Sequence, residues 1–475
     1  MNITDPSLEP SSAEEPPDKL PDVVAPTWSR ADLAALTTAL VLIAVAALVG
    51  RRLSQQGLPI VLPSPPLLAF WGPHVGWGTP LSLICVLVGL RLQRVVARAP
   101  WRRLLLGGWL LNLAWMCSLT LIDGLRRGWV DVLLDPNEYL HDLPRVGNAA
   151  TFVSTFTDFI AFAPGVTGDD VWTTHVAAHP PLATLIFWSL AQVGLSGGFW
   201  AGALCILAAS AASVGLPVTV HALGAPAAAR RLVPFAALFP GAVWMAVSAD
   251  GLFAGVAVAG LALVSVGAAR RRLLASLAGG VLLGAAVFLS YGLVLFGVVV
   301  LLAVWLTVRR HGWRRTRLPW LVATVGALAV AAIHFAYGFN WFIGLEQLRI
   351  RYYQGIASQR PFSYFVYANF AAWLISCSPV LAVGISRSLG VLARGRGRRW
   401  TQDRVVALLS VAGLVVATLA DLSALSKAET ERIWLTFGVV AFAGLALLRG
   451  RLAAWALVGC AVSALLVNHL FRTGW

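Results

Sequence analysis

The feature that most constrains this chain is a series of apolar runs, each close to 20 residues long. Examples cover residues 33–49, 201–220, 249–268 and 452–470. A helix needs about 20 apolar residues to cross a bilayer. Hydrophobic residues make up 58% of the chain and charged residues 12%, against about 25% charged residues in soluble domains. Too little polar sequence remains to cover so many apolar runs, so we predict an all-α polytopic membrane protein.

Basic residues lie in short clusters between the apolar runs. The net charge is +15, but clusters at the ends of apolar runs follow the positive-inside rule rather than the pattern of a nucleic-acid-binding surface. We therefore predict no nucleic-acid partner and place these clusters in the cytoplasm. They are Arg91 to Arg103, Arg230–Arg231, Arg270–Arg272, Arg309 to Arg317, Arg387 to Arg404 and Arg449–Arg451.

About thirteen transmembrane helices satisfy this placement, with the N-terminus in the cytoplasm and the C-terminus outside. A further apolar segment, residues 179–195, would invert every later basic cluster if it crossed the membrane, and its apolar run is short for a span. We predict a helix on the outer face there; a true span with another element miscounted is the alternative. The thirteen predicted spans are 31–50, 77–95, 104–123, 199–220, 232–247, 249–268, 273–289, 290–308, 318–336, 363–386, 404–420, 433–448 and 452–470.

Acidic residues gather on the predicted outer side. Of those that follow Asp32, only Asp403 falls inside. The positive-inside rule says little about acids, so their concentration has another cause: either solvated loops or a polar active site on the outer face. The outer acids are Asp123, Asp131, Asp135, Glu138, Asp142, Asp158, Asp169, Asp170, Asp250, Glu346, Asp421, Glu429 and Glu431.

The longest outer loop, residues 123–180, carries several candidate functional residues. Loops of this length in compact proteins are usually functional or disordered, and the aromatic content favours function. Asp123 and Glu138 are candidate catalytic carboxylates, although Asp123 also suits a helix-ending Asp-Gly turn and Glu138 an ordinary solvated loop. His175 and His179 are spaced as zinc ligands on a helix, but Pro180 disfavours helix at His179, so contact with substrate is the favoured role.

Asp250 lies between two apolar runs in the sequence Ser-Ala-Asp-Gly, with almost no loop around it. An acid at or inside the membrane is a functional candidate, although an Asp before Gly also suits a tight turn. Two later outer loops, 337–362 and 421–432, contain arginines that can hold a phosphate through paired donors. We take Arg349, Arg351 and Arg432 as candidate substrate-binding residues; ordinary interfacial residues are the alternative.

The remaining sequence carries few functional signals. Residues 1–30 form a Pro-rich acidic tail that we predict to be disordered in the cytoplasm. The five cysteines fall inside predicted spans without metal or disulfide spacing. No residue pattern demands a cofactor, and the need for a divalent cation stays open.

The order of several short motifs resembles the GT-C superfamily of membrane glycosyltransferases, in its protein mannosyltransferase and aminoarabinose transferase branch. An acidic outer loop is followed by an Asn-Glu-Tyr element, a His-Pro-Pro-Leu helix, an arginine pair and an Asp between close spans. Glu431-Arg432-Ile433-Trp434 is similar to an element of actinobacterial membrane proteins. The matching positions are Asn137 to Tyr139, His179 to Leu182, Arg230–Arg231, Phe239–Pro240 and Ser248 to Asp250.

This resemblance implies an organisation and a chemistry. It divides the chain into the tail (1–30), an additional N-terminal hairpin (31–100), a catalytic module with its outer loop at 123–198 (101–310) and C-terminal spans (311–475). It implies an inverting transferase in the bacterial plasma membrane that moves mannose or a pentose-like sugar from a polyprenyl phosphate to a glycan, lipid or protein acceptor outside. The family commonly has Asp where this chain has Asn137, which leaves the base as Asp123 or Glu138.

The resemblance also assigns roles to individual residues. Asp123 or Glu138 would accept the proton of the acceptor, and Asp250 would orient the acceptor or a metal. The donor would contact Tyr139, His175, His179, Arg349, Arg351, Glu431 and Arg432. A transporter or lipid flippase and a non-catalytic lipid-glycan-binding protein are the rival functions, and the first of these predicts broken helices and internal repeats.

Overall fold

The computed structural model describes residues 28–163, 170–394 and 401–473. The predicted disordered tail, apart from its last three residues, and the acid Asp169 lie outside these residues. The α-helices in chain order are α1 (Arg30–Gln55), α2 (Gly78–Val95), α3 (Trp101–Thr120), α4 (Tyr139–Val146), α5 (Ala149–Thr155), α6 (Thr174–Ala178), α7 (Leu182–Gln192), α8 (Gly198–Ala222), α9 (Pro226–Ala237), α10 (Ala242–Met245), α11 (Ala249–Arg270), α12 (Leu273–Leu289), α13 (Gly297–His311), α14 (Trp313–Ala336), α15 (Trp341–Gln354), α16 (Phe362–Ser376), α17 (Val380–Arg394), α18 (Gln402–Leu422), α19 (Thr430–Ile433), α20 (Leu435–Ala441) and α21 (Gly450–Leu470).

Shorter elements complete the described chain. A two-stranded antiparallel sheet pairs β1 (Ala69–Trp71) with β2 (Phe471–Thr473) and thereby joins the segment after α1 to the end of α21. The remaining turns are a π-helical turn at Arg126–Val130 and 3₁₀ turns at Val132–Leu134, Phe156–Phe159, Tyr291–Phe296, Ile356–Ser358 and Phe442–Leu447.

Within the described residues, 8 helices are long and apolar enough to cross a membrane, or 9 if the bent pair α16 and α17 is one span. These are α1, α2, α8, α11, α13 with its preceding 3₁₀ turn, α14, α18 and α21. This confirms the prediction of an all-α, multi-pass membrane protein, while the number thirteen stays a prediction. Helix α7 spans 11 residues, about 16 Å at 1.5 Å per residue, which is shorter than a bilayer core.

The prediction of one helix over 232–247 is wrong. Helix α9 ends at Ala237 and the short α10 begins at Ala242, because Pro240 lacks an N–H group and restricts the residue before it. The carbonyls freed by this break are satisfied by α3: the Asn112 amide donates to Ala237 at 3.0 Å, and the Trp115 indole donates to Phe239 at 3.1 Å. Such replacement partners are what allow a broken helix inside a lipid-embedded bundle.

The predicted spans 363–386 and 433–448 also differ from straight helices. α16 and α17 meet at an angle of 105°, where Ser378 has a left-handed φ of 71° and Pro379 interrupts the hydrogen-bond ladder. The segment after Arg432 consists of α19, α20 and a 3₁₀ turn, with the apolar stretch Leu435–Leu447 too short to count among the candidate spans. These breaks depend on local turns that hydropathy does not report.

The N-terminal helix packs on the C-terminal half of the chain. α1 contacts α16 and α17, and the Tyr364 hydroxyl donates to the Ala46 carbonyl at 2.9 Å. Asp32, in the first turn of α1, accepts two hydrogen bonds from Arg387 of α17, at 2.8 and 2.7 Å. Helix α1 therefore packs on α16 and α17, which precede residues 421–432 in the chain, rather than standing apart from them.

Helices α8 and α11 approach closely because small residues line their contact. A Cβ atom added at Gly255 of α11 would lie 1.9 Å from the Ala208 carbonyl oxygen of α8. Small residues at such crossings let two membrane helices pack backbone against backbone. The contact matters for the site because α11 begins with Ala249 and Asp250.

We expect Gly255→Ala to destabilise the protein by about 1–3 kcal/mol, the usual cost of overpacking a well-packed contact. The matched control is Gly107→Ala in α3, where an added Cβ meets no heavy atom within 4 Å. The measurement is the midpoint of thermal unfolding in detergent, and the fraction of protein that remains monodisperse at each temperature is the signal. Equal midpoints for the two variants would contradict the close approach of α8 and α11.

Candidate active site

The loop between α3 and α7 folds into short helices that position Glu138. The Glu138 backbone N–H donates to the Asp135 carbonyl at 2.8 Å, and α4 begins directly afterwards at Tyr139. Asn137 links this turn to α6: its amide nitrogen donates to Asp135 Oδ1 at 3.0 Å, and its amide oxygen accepts from the Thr174 hydroxyl at 3.0 Å. An ionised aspartate in place of Asn137 has no donor for the bond to Asp135.

Glu138 and His175 form a buried pair. Glu138 Oε1 lies 2.8 Å from His175 Nδ1, and the two side chains are 4% and 6% exposed. The backbone places them together, because the His175 N–H donates to the Asn137 carbonyl at 3.0 Å. His175 Nε2 lies 3.2 Å from Arg432 Nη2. Arginine only donates hydrogen bonds, so Nε2 accepts and the proton of the neutral ring is on Nδ1, facing Glu138.

Arg432 of α19 joins three carboxylates from separate parts of the chain. Its Nη1 lies 3.6 Å from Glu138 Oε1, its Nε 3.2 Å from Asp250 Oδ2, and its Nη2 3.4 Å from Glu429 Oε2. Its side chain is 6% exposed, and buried charges of this kind are stable only when they are paired. We call Glu138, His175, Asp250, Glu429 and Arg432 the Arg432 cluster.

Asp250 reaches this cluster because of the break before α11. Ser248 caps the helix, its hydroxyl accepting from the Asp250 N–H at 3.1 Å. Asp250 therefore lies in the first turn of α11, where the positive end of the helix dipole stabilises a carboxylate. Its side chain is 12% exposed, which leaves it accessible beside the buried guanidinium.

The environment of Glu138 favours its ionised form. Burial raises the pKa of this carboxyl, but the hydrogen bond from His175 and the positive charge of Arg432 outweigh burial and hold the pKa below its usual value. Among the described residues, no hydrogen bond is formed by Glu138 Oε2, which is buried. Glu138 is thus ionised and has an unused acceptor atom, both of which a proton-accepting group needs, while its lowered pKa makes it a weaker base than a carboxylate whose pKa lies near neutral pH.

Tyr139 and His179 are the uncharged side chains of the site. His179 Nδ1 lies 2.8 Å from both the Tyr139 hydroxyl and the His175 carbonyl oxygen, so Nδ1 carries the ring proton. Burial lowers the pKa of His179, which keeps the ring neutral, and burial raises the pKa of Tyr139 well above its usual value. Both rings are therefore uncharged hydrogen-bonding groups at neutral pH.

A zinc site formed by His175 and His179 on one helix does not fit this geometry. α6 ends at Ala178, and His179 is extended at φ −131° and ψ 154° before Pro180. Within the described residues, no group of three or more His, Cys, Asp or Glu side chains is arranged to hold a metal ion. The guanidinium of Arg432 already lies against both Glu138 and Asp250, where a cation shared by these carboxylates would bind. We therefore derive no step through a metal.

Backbone strain is concentrated in the segment that carries Arg432. Ala424, Ala428 and Glu429 all have left-handed φ angles, of 56°, 84° and 62°. Each such conformation costs of order 1–3 kcal/mol in a residue other than glycine, and strained residues of this type cluster at functional sites. The surrounding contacts therefore hold residues 424–429 in a shape that the segment would not adopt alone.

Glu431, a predicted substrate-binding residue, forms a hydrogen bond with a different part of the chain from the Arg432 cluster. It is buried, and its Oε1 accepts a hydrogen bond from the Leu68 N–H at 2.9 Å. This contact ties the segment before β1 to α19. Burial raises the pKa of Glu431 to about 7, although the hydrogen bond from Leu68 opposes the rise.

We expect Glu431 to make stability depend on pH. Its folded pKa of about 7 exceeds the ordinary glutamate value of 4.5, so its protonation stabilises the fold below about pH 4.5 and that contribution is lost as the pH rises through 7. Glu431→Gln should therefore flatten the fall in melting temperature between pH 5 and about 8. Glu346→Gln, at an exposed position, is the matched control. If both variants kept the wild-type slope, Glu431 would not be the titrating group.

Three other predicted site residues have different partners. Asp123 Oδ1 lies 3.3 Å from both His74 Nε2 and Arg127 Nε. Arg349 is exposed and pairs with Glu346 at 2.8 Å. Arg351 donates to the Ile160 and Trp172 carbonyls at 3.4 Å and lies over the Phe162 ring, 3.8 Å from its centroid. Their functional roles stay predictions.

Asp123 nevertheless lies close to α10, the short helix that precedes Ser248 and Asp250 in the chain. It lines a pocket with Trp244 of α10 and Val247, and the chain continues from there to Ser248 and Asp250. The structure thus brings together Glu138, Tyr139, His175, His179, Asp250 and Arg432 from the predicted set, while Asp123 belongs to a neighbouring pocket.

Several residues of the site were missed by the sequence analysis. Glu429 bonds Arg432, and Asn369 contacts the segment before it. A signal existed for Asn369, since it is an amide inside the apolar run 363–386 and polar groups in membrane helices seek partners. No local signal distinguishes Glu429 from a solvated loop glutamate.

Comparison with known proteins adds no assignment. No known family model matches the chain, and no curated protein matches it. The interpretation of the site therefore depends on its own geometry and on the motif order described above.

Proposed function

We propose that the protein is a glycosyltransferase that moves a sugar, mannose or a pentose-like sugar, from a polyprenyl phosphate to an acceptor on the outer face of the bacterial plasma membrane. The observation that carries the proposal is the Arg432 cluster. Two carboxylates, Glu138 and Asp250, meet at one buried guanidinium beside His175. Buried clusters of charged groups with shifted pKa values are typical of active sites.

The chemistry requires a base and no cofactor. The acceptor hydroxyl oxygen forms a bond to the anomeric carbon, the bond from that carbon to the phosphate oxygen breaks, and the phosphate leaves with the electron pair. The hydroxyl proton passes to a carboxylate, for which Glu138 is the favoured group and Asp123 the alternative. A positioned base contributes typically about 10²–10⁴-fold to the rate. Asp250, held by Arg432, is placed to orient the acceptor.

Cations or hydrogen-bonding groups must stabilise the phosphate as negative charge develops on it. Arg432 is one candidate, with His179, Arg349 and Arg351 as predicted further contacts. The same two loops contain two more cations, Arg360 and Lys427, which are each 8% exposed. Within the described chain neither pairs with a carboxylate. Arg360 donates to the Ile60 and Lys427 carbonyls at 3.2 and 2.8 Å, and Lys427 Nζ to the Ala357 carbonyl at 2.9 Å.

One observation favours the rival function of a transporter or flippase. The breaks at 238–241 and 377–379 are discontinuous helices, which transporters use to bind substrates and ions. Their residues carry no charge, however. The carbonyl of Phe239 in the first break accepts a hydrogen bond from Trp115, so this group is already used for packing.

The test is incubation of the purified protein in lipid vesicles with radiolabelled polyprenyl-phosphate mannose or pentose and a membrane extract as acceptor. Label that appears in a glycan, lipid or protein fraction supports the transferase. Label that changes leaflet while remaining on the prenyl phosphate supports the flippase instead. Donor that binds without transfer or movement supports the non-catalytic lipid-glycan-binding protein, and overturns the proposal.

A further inference from the structure

Asn369 of α16 is a buried amide, 2% exposed, whose side chain bonds to the segment between α18 and α19. Its Nδ2 donates to Asp421 Oδ1 and to the Ser426 carbonyl, both at 2.7 Å, and its Oδ1 accepts from the Ala428 N–H at 3.2 Å. The backbone carbonyl of Asn369 also accepts from the Thr430 hydroxyl at 2.8 Å. Asn369 therefore contacts the chain at four points between Asp421, at the end of α18, and Thr430, at the start of α19.

These bonds surround the strained part of the segment. Ser426 precedes and Thr430 follows the two consecutive left-handed residues Ala428 and Glu429. Strained conformations persist only where the surrounding structure over-determines them. Glu429 and Arg432, directly beyond the Ala428 bond, are members of the Arg432 cluster.

Helix α16 also contacts the residue that follows α19. Trp434 is fully buried and packs edge-on against Phe370 and Trp373 of α16, with ring centroids 5.4 and 6.4 Å apart. α16 thus contacts the chain before Arg432 through Asn369 and after it through two aromatic rings. Arg432 therefore lies in a short stretch of chain that α16 contacts at both ends.

We propose that Asn369 is a positioning residue, which acts through residues 426–430 to hold Arg432 against Glu138 and Asp250. This proposal rests on the proposed function in so far as it concerns transfer. The amide is required because it provides two donors and one acceptor in one plane. Aspartate lacks the donors, and alanine lacks all three contacts.

The first test measures position without using activity. Hydrogen–deuterium exchange of the peptide covering 424–434 is compared between wild type and Asn369→Ala, and we expect exchange at least about 10-fold faster in the variant, equivalent to about 1.4 kcal/mol of lost local stability. Asn112→Ala is the matched control, since Asn112 is also a buried amide that donates to carbonyls. Unchanged exchange in 424–434, or equal changes in both variants, would overturn the proposal.

The second test uses the labelled polyprenyl-phosphate sugar that wild type transfers. Misplacement of a binding group by about 1 Å can cost about 10²-fold in rate, so Asn369→Ala should lower kcat/KM by about that factor. In the Arg432→Lys background, Asn369→Ala should have little further effect, because residues that act through one group are non-additive. Additive losses would contradict action through Arg432.

A third variant separates positioning from general loss of stability. Asn369→Asp removes both donors and brings a second carboxylate to Asp421, whereas the double change Asn369→Asp with Asp421→Asn restores one donor–acceptor pair. Partial recovery of exchange protection and of kcat/KM in the double variant is expected; no recovery in either would count against the proposal. If wild type transfers no sugar, the proposed function fails, and the exchange experiment still decides the role of Asn369.

Discussion

Glu138→Gln is expected to lower the rate of sugar transfer by about 10²–10⁴-fold, the usual contribution of a general base. Glutamine keeps the size of the side chain and an oxygen that can accept from His175, but an amide does not take up a proton at neutral pH. We therefore expect kcat to fall much more than the KM for the donor changes. The measurement is the initial rate of label transfer at several donor concentrations, with protein quantified after size-exclusion chromatography.

The matched control is Asp131→Asn, the same chemical change in the same loop. Asp131 is 47% exposed and pairs with the exposed Arg126, so this variant should retain activity within about twofold, since exposed ion pairs contribute little. Asp123→Asn tests the alternative base. A variant Glu138→Gln with wild-type kcat, together with a large loss in Asp123→Asn, would move the base to the neighbouring pocket.

Arg432→Met is expected to destabilise the protein by about 3–5 kcal/mol, because removal of one partner leaves buried charges uncompensated. The oxygens of three carboxylates lie within 3.6 Å of the nitrogens of this guanidinium. Methionine retains much of the apolar side chain, so the loss reports charge rather than volume. The measurement is reversible unfolding by titration with a denaturing detergent, followed by tryptophan fluorescence.

Two comparisons make this result specific. Arg126→Met removes an arginine that is 91% exposed and should cost less than about 1 kcal/mol. Adding Glu138→Gln and Asp250→Asn to Arg432→Met should recover part of the lost stability, since fewer buried charges remain unpaired. If the triple variant were no more stable than Arg432→Met alone, the cluster would not be held by charge.

The candidate site was only partly predictable from the sequence. The sequence indicates Glu138, His175, His179, Asp250 and Arg432 because they lie in predicted outer loops or beside apolar runs and because the motif order resembles that of GT-C glycosyltransferases. Their grouping around one guanidinium had no local signal, because Arg432 pairs with residues on three distant segments. Asp123 was selected on the same grounds, yet the fold gives it His74 and Arg127 as partners.

The sequence by itself determined that this chain is an all-α membrane protein, because hydrophobic length is a sum over a short local window that no distant contact can change. Only the tertiary structure decided where helices break and which charges meet. The break after Ala237 depends on donors from α3, and the strained segment before Arg432 depends on Asn369 of α16. Such contacts join residues far apart in the chain, and their geometry arises only when the helices pack together.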